Sequence, residues 1–293
     1  MALLPPKWGN MMAVYTISAT GTLEPDRWVG EIATASRPHI LRLSDGADWV
    51  CKFMNSGAGT KNLSGAAGMA LDMFGTRLAR LVGLSVAECT NVDVSPDFIA
   101  RTSQLEGFDA GPAFASKMLP AVVPVASGAD VSTCVNAADA TLIVMLDLWL
   151  NNWDRSGNQK NTLISGVSPN RRLVPLDYGV SCTTSGLAGP GQLRGKFIPD
   201  SLSTEDMRGE FLDLARAVRQ VVYAALVQCP GDLEGALDRI ESLTDTDLWA
   251  CWSDVPAEWL AEPSRRSVVD YLVNRQSRLK PVTESPNYFP LWR

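Results

Sequence analysis

The hydropathy pattern changes twice between Thr141 and Gly179, and that double change limits what the chain can fold into. An apolar run from Thr141 to Leu150 reads as a buried helix. It ends in a polar cluster, Asn151 to Lys160. A short strand pattern follows at Asn161-Thr162-Leu163-Ile164, then a turn, then a second strand from Arg172 to Leu176. The second strand delivers Asp177-Tyr178-Gly179. The order is therefore helix, polar loop, strand, turn, strand, carboxylate.

That order suits phosphoryl transfer. In such a centre one Asp orients the attacking hydroxyl, while a downstream Asn and a second Asp hold metal ions on the phosphates. Asp154, Asn161 and Asp177 stand in those three places. Protein kinases put the Asn about five residues after the catalytic Asp. Asn161 lies seven after Asp154, and Asn158 lies four after it. Asn161 opens the apolar strand and is favoured; Asn158 stays as the alternative. A plain polar loop between a helix and a hairpin, with Asp and Asn as turn residues, would use the same letters.

Bulk properties exclude several other chemistries. The chain has 293 residues, enough for one large domain or two lobes, with 46% hydrophobic and 20% charged residues, as in an ordinary soluble globular protein. A net charge of −6 argues against broad nucleic-acid binding, which needs a basic face. Six cysteines are scattered without a CxxC pair, which fits reduced, buried thiols better than disulfides or a zinc site. His39 is the one histidine, so His-based triads and multi-His metal sites lose weight. The N-terminus does not read as a secretory signal, and no segment has the roughly 18 apolar residues of a membrane span.

The rest of the chain divides by composition. Residues 13 to 54 read as β structure, with strands at Ala13 to Ser18 and Trp28 to Thr34. A hairpin follows, Ile40 to Leu43 and Asp48 to Phe53, around an Asp45-Gly46 turn. Its alternation puts Val50 and Lys52 on one face, Cys51 and Phe53 on the other. A lysine inside such a strand is either a solvated edge residue or the lysine that holds nucleotide phosphates. A glycine-rich loop, Asn55 to Gly65, leads to a helix over Ala66 to Val82, closed by Gly83. Asp72 lies in its middle turns, where a kinase helix carries an acid that pairs with the strand lysine. Asp is one methylene shorter than Glu, so that pair needs a closer helix or a bridging water.

Val86 to Val94 and Asp97 to Thr102 read as further strands, and Phe108 to Pro120 as a crossing between lobes with Ala115 to Leu119 extended. Pro120 to Asp130 reads as a loop and Asn136 to Leu150 as a helix. Beyond Gly179 the chain reads as a long loop to Phe197, then helices from Thr204, over Phe211 to Val227, over Gly231 to Leu243, and over Ser264 to Leu279. Trp249, Trp252 and Trp259 read as core rather than a binding cage.

Taken together, Ser36-Arg37-Pro38-His39-Ile40, Val50-Cys51-Lys52-Phe53 and Arg77 to Val86 come first. Asn152-Trp153-Asp154-Arg155, Asn161 to Ile164, Leu176-Asp177-Tyr178-Gly179, Val255 to Leu260 and Tyr271 to Arg275 follow in order. The set resembles the HipA-like kinase family, bacterial proteins related in fold to protein kinases and phosphatidylinositol kinases. The resemblance runs from about Val29 to Leu279. It implies a two-lobed α+β fold: an N-terminal tail over 1–12, a β-rich nucleotide-binding lobe over 13–112, a mainly helical lobe over 113–280, and a tail over 281–293.

It implies a cytoplasmic enzyme that moves a phosphoryl group from Mg-ATP to a protein Ser or Thr hydroxyl. Lys52 would meet the phosphates, Asp154 would be the base, and Asn161 and Asp177 would hold Mg²⁺. Asp72, Ser36, His39, Lys117 and Met118 complete the candidate nucleotide contacts, and Ser36 is also a candidate for regulatory phosphorylation. Two departures stand out: Asp72 replaces the family's Glu, and Ala33-Thr34-Ala35 lacks the glycines that cradle phosphates. They keep a nucleotide-binding scaffold in play, beside AMP transfer on the same fold.

Overall fold

An Asp-Gly turn seeds the first sheet. The computed structural model describes residues 23–34, 37–54, 65–152, 154–155, 158–182, 225–229 and 231–283. Within them β1 (Pro25–Glu31), β2 (His39–Leu43), β3 (Asp48–Lys52), β4 (Cys89–Val94) and β5 (Gly111–Lys117) form an antiparallel sheet in the order β1-β2-β3-β5-β4. Gly46 closes the β2–β3 turn at φ +77°, a conformation glycine takes without strain. The Asp45 carboxylate accepts the Ala47 N–H at 2.9 Å.

Register then decides faces. Leu41 pairs with Trp49 and Ile40 with Val50. Leu41, Leu43, Trp49 and Cys51 are buried on one side, in a core with Val92, Val94, Phe98 and Phe108. Lys52 points to the other side. Opposite it in register stands Phe114 of β5, which packs into the core around α1 (Ala66–Leu81). Helix α1 ends as its glycine predicts: Gly83 sits at φ +94° and donates its N–H to the Arg80 carbonyl at 2.9 Å.

Three expected elements come out differently. Asp97 to Thr102 is not a strand; Pro96–Arg101 is a helix, α2. Ser95 caps it by accepting the Phe98 N–H, and Pro96 sits in its first turn. That Ser-Pro-Asp start outweighs the short apolar pattern after it. Phe108 to Pro120 does not simply cross between lobes either. Its core is β5, hydrogen-bonded between β3 and β4, so the sheet runs to Lys117. Ala113, Phe114 and Ala115 are all buried, so this strand shows no exposed alternation.

The expected loop after Pro120 holds a short strand, β6 (Val123–Pro124), and the start of α3 (Gly128–Ser132). The anticipated helix and hairpin are present as α4 (Asp139–Leu150), β7 (Thr162–Ser165) and β8 (Arg172–Pro175), with sheet order β6-β7-β8. From Ala140 to Leu150 every residue of α4 is buried. A helix apolar all round must be covered on every side. Its partners include α5 (Leu233–Glu241) and α7 (Glu262–Thr283). The Trp149 indole donates to the Leu272 carbonyl at 2.9 Å, and Arg275 donates to the carbonyls of Leu148 and Trp149.

Between those helices lies α6 (Asp245–Ala250). Trp252 and Trp259, just after it, are buried core residues. The fold is thus mixed: a β-sheet N-terminal region followed by a largely helical part. The expected strand at Ala13 to Ser18, the loop at 55–64, the expected loop and helices over 183–224, and the C-terminal tail beyond 283 lie outside the described residues. No helix among the described residues is long and apolar enough to cross a membrane. All six thiols are free; burial pushes Cys51 and Cys251 up to about 12, so they stay protonated near neutrality.

Candidate active site

Three elements meet at Lys52. Strand β3 presents the ammonium, α1 presents Asp72, and the segment after β8 presents Asp177. Lys52 Nζ lies 2.6 Å from Asp72 Oδ2 and 3.0 Å from Asp177 Oδ1. The other Asp72 oxygen accepts the backbone N–H of Tyr178 at 2.8 Å. One carboxylate therefore ties the strand lysine to the Asp-Tyr-Gly segment. Burial disfavours the Lys52 ammonium, but Asp177 and Asp72 outweigh that and hold its pKa above the ordinary lysine value. Burial pushes Asp72 up. Burial also opposes the Asp177 charge, but Lys52 and Arg155 more than offset it and keep this carboxyl below its usual range. The Asp177 side chain remains 36% exposed, against 3% for Asp72.

The short Asp72 side chain reaches Lys52 directly because α1 comes close. A methyl group on Gly75 would fall 2.6 Å from Tyr178 Cγ, and one on Gly179 would fall 3.1 Å from the Gly68 carbonyl oxygen. Only glycine lets Tyr178 pack so close to α1 at position 75, and lets the two backbones approach so nearly at position 179. The missing methylene is made up by helix position, with no water needed. Asp177 itself sits at φ +57°, a left-handed conformation that Asp tolerates better than most residues and that turns the chain into Tyr178.

A second cluster forms where α4 ends. Asn151 closes the helix at φ +52°, and Asn152 donates its side-chain N–H to Asp147 at 2.9 Å. Asp154 Oδ2 accepts from Asn161 Nδ2 at 2.8 Å and more weakly from Asn158 Nδ2 at 3.4 Å. Asn158 spends its own oxygen on the Lys160 N–H, capping the short turn Gln159–Asn161. That turn takes up the extra length between Asp154 and Asn161. Asn161, the residue before β7, puts its amide nitrogen on Asp154, which leaves its amide oxygen as an acceptor.

The sequence assigns Arg155 no chemical role beyond its place in the family pattern, yet its guanidinium is fully buried. It donates to Asp147 at 2.7 Å, to the Asn161 carbonyl, and to the Leu176 carbonyl at 2.6 Å, and it lies 4.7 Å from the Tyr178 ring centroid. The signal is Asp147, a carboxylate inside the apolar run Leu142 to Leu150, which has to find a cation.

The other sequence candidates lie apart from these clusters. His39 is buried in the sheet's core, edge-on to Phe53 and Phe108, with its Nδ1 accepting from the Trp28 indole at 3.1 Å. Lys117 pairs with Glu88 at 3.3 Å and sits over Trp49, while Met118 is exposed. The backbone N–H groups of Lys117 and Met118 are given to Glu88 and Asp48. Ser36 lies outside the described residues.

A strand lysine, a helix acid and two loop clusters on this mixed fold define a kinase-like protein. The chain belongs to the HipA-like kinase family, whose model matches residues 31–182. No curated protein matches the sequence. Among solved structures it is similar to the proinflammatory kinase CtkA of Helicobacter pylori, at 12% identity and TM-score 0.48, over 87% of this chain and 92% of that one. It is also similar to a Golgi casein kinase solved with Mn/ADP, at 12% identity and TM-score 0.48, over 90% of this chain and 73% of that one. HipA of Shewanella oneidensis MR-1, solved with HipB and operator DNA, matches at 14% identity and TM-score 0.43, over 92% of this chain and 67% of that one.

Proposed function

We propose that this protein transfers the γ-phosphoryl group of Mg-ATP to the hydroxyl of a protein Ser or Thr. The observation that carries this reading is the Lys52 ammonium held between Asp72 and Asp177. On this reading nucleotide enters between the sheet with α1 and the helical part. Lys52 binds the phosphates, and Asp72 keeps it extended. Asp154 accepts the hydroxyl proton as the oxygen attacks γ-phosphorus and the bond to the β,γ-bridging oxygen breaks, releasing ADP.

The donor set fits a magnesium ion. Asp177, with its lowered pKa, supplies a ready carboxylate, and Asn161 supplies an amide oxygen. Among the described residues no group of three or more His, Cys, Asp or Glu could hold a metal. Magnesium is commonly held by one or two carboxylates together with substrate phosphates. Bound there, the ion would neutralise charge on the phosphates.

The direct Lys52–Asp72 pair supports the enzyme reading over a scaffold, since the shorter acid reaches the lysine. Calorimetry with ATP, with and without Mg²⁺, tests the reading on wild type, Lys52→Met and Asp177→Asn. Lys52→Met should weaken nucleotide binding tenfold or more while the cooperative melt is kept. Asp177→Asn should remove the magnesium enhancement. Unchanged affinities in both variants would defeat the site. Incubation with Mg-ATP and protein acceptors, read by mass spectrometry, then separates phosphoryl from AMP transfer by the mass added.

A further inference from the structure

Arg155 stands at the junction of the two clusters. One nitrogen of its guanidinium donates to two carbonyl oxygens, those of Asn161 and Leu176. Asn161 is a candidate metal ligand, and Leu176 is the residue before the other candidate, Asp177. The two backbones also meet directly: the Leu176 N–H donates to the Asn161 carbonyl at 2.9 Å. From the far side Asp147 fixes the guanidinium at 2.7 Å, and Asp147 is itself held by Asn152. The face of Arg155 lies on the ring of Tyr178, the residue after Asp177. One buried side chain therefore touches the start of β7 and both neighbours of Asp177.

We infer that Arg155 is a positioning residue that sets Asn161 and Asp177 at the spacing a divalent cation requires, so that it governs metal-dependent nucleotide binding without touching nucleotide. This rests on the magnesium reading above. The chemistry favours arginine over any other cation. A planar fork can serve a carboxylate and two carbonyls at once while its flat face lies on the Tyr178 ring, whereas a lysine ammonium can pair with Asp147 but cannot span the same set. The loop holds Asn161 through Asp154 and Asn158, and Arg155 adds the tie from the Asn161 carbonyl to the segment that carries Asp177.

The test is calorimetry with ADP, which binds without turnover, in the presence and absence of Mg²⁺. The quantity read is the ratio of the two dissociation constants. Wild type should bind at least tenfold tighter with the metal. Arg155→Lys, which keeps the charge opposite Asp147, should bring the ratio towards one and leave the metal-free dissociation constant within twofold of wild type. Arg155→Gln is the second variant, and the one with a cooperative melt is the one compared. A general structural role predicts equal weakening with and without metal, and that result would overturn the proposal. So would a wild-type ratio in either folded variant. A wild-type protein with no magnesium enhancement would overturn the metal reading itself, which separates that failure from a failure at Arg155 alone.

Discussion

A histidine ring removed from water and edged by two phenylalanines resists protonation. His39 is such a ring, and burial lowers its pKa from the ordinary 6.5, with Glu31 opposing and Arg37 adding to the effect. Its Nδ1 accepts from Trp28, so protonation there would also break that bond. The unfolded chain therefore binds this proton more readily than the folded one. The resulting stability is fully present above pH ~6.5 and is lost as pH falls towards the folded value. Because the chain has one histidine, a single imidazole signal in an NMR titration reports it. A midpoint below 6.5 is expected, and His39→Gln should lose less thermal stability than wild type between neutral and mildly acid pH. A midpoint above 6.5 would contradict the buried placement.

Asp72 gives the opposite lesson at the same scale: here the backbone fits the side chain. Restoring the family's Glu should weaken the site, because Gly75 and Tyr178 fix the gap for the shorter acid. Asp72→Glu is expected to lose the Tyr178 N–H bond and to bind ATP several-fold more weakly than wild type by calorimetry. Lys52, Asp72, Asn161 and Asp177 stand out as candidates in the sequence because each lies inside or beside an apolar element, and Asp154 because it lies in the polar loop between two of them. Arg155 does not, since an arginine in a polar loop reads as solvated until the buried Asp147 is seen opposite it.

At the scale of elements, legibility followed periodicity and flanking signals. The hairpin, α1, α4 and the β7–β8 pair were readable from period, an Asp-Gly turn and a glycine stop. Helix α2 was misread because six residues carry too little periodicity to compete, although Ser95-Pro96 marked its start. Strand β5 was misread because burial on both faces erases alternation, and Gly111-Pro112 resembled punctuation.

The close approach of α1 to the Asp-Tyr-Gly segment could not be read from sequence at all. It depends on which helical glycine faces Tyr178. Gly75→Ala measures that approach. Helix propensity alone would favour the alanine by about 1 kcal/mol. Overpacking against Tyr178 costs about 1–3 kcal/mol. The net result should be a lower melting temperature together with weaker ATP binding. A stabilised variant with unchanged affinity would show that the contact is slack.

Across the whole molecule, the helical part braces α1 at several points. Phe74 stacks on Trp252 with centroids 4.3 Å apart. Arg77 donates to the Cys251 carbonyl and Arg239 to the Val82 carbonyl, each at 3.4 Å. The same region reaches the sheet, where the Trp259 indole donates to the Pro112 carbonyl at 3.2 Å and Asn91 donates to the Asp254 carbonyl at 2.5 Å. Arg265 in turn holds that loop through the carbonyls of Val255, Pro256 and Leu260.

A helix braced in this way cannot swing Asp72 away from Lys52 without breaking packing in the helical core. The acid–lysine pair is thus part of the fold's stability, and the sheet should not unfold ahead of the helices. Trp252→Ala tests the coupling. Truncating a buried tryptophan costs about 3–5 kcal/mol. Because Trp252 packs on the helix that carries Asp72, the same change should weaken ATP binding, although Trp252 is no candidate contact for nucleotide. Denaturant unfolding followed by tryptophan fluorescence and by circular dichroism should give coincident transitions in wild type. Two separated transitions, or a destabilised variant with wild-type affinity for ATP, would show that α1 is held at Lys52 by the sheet alone.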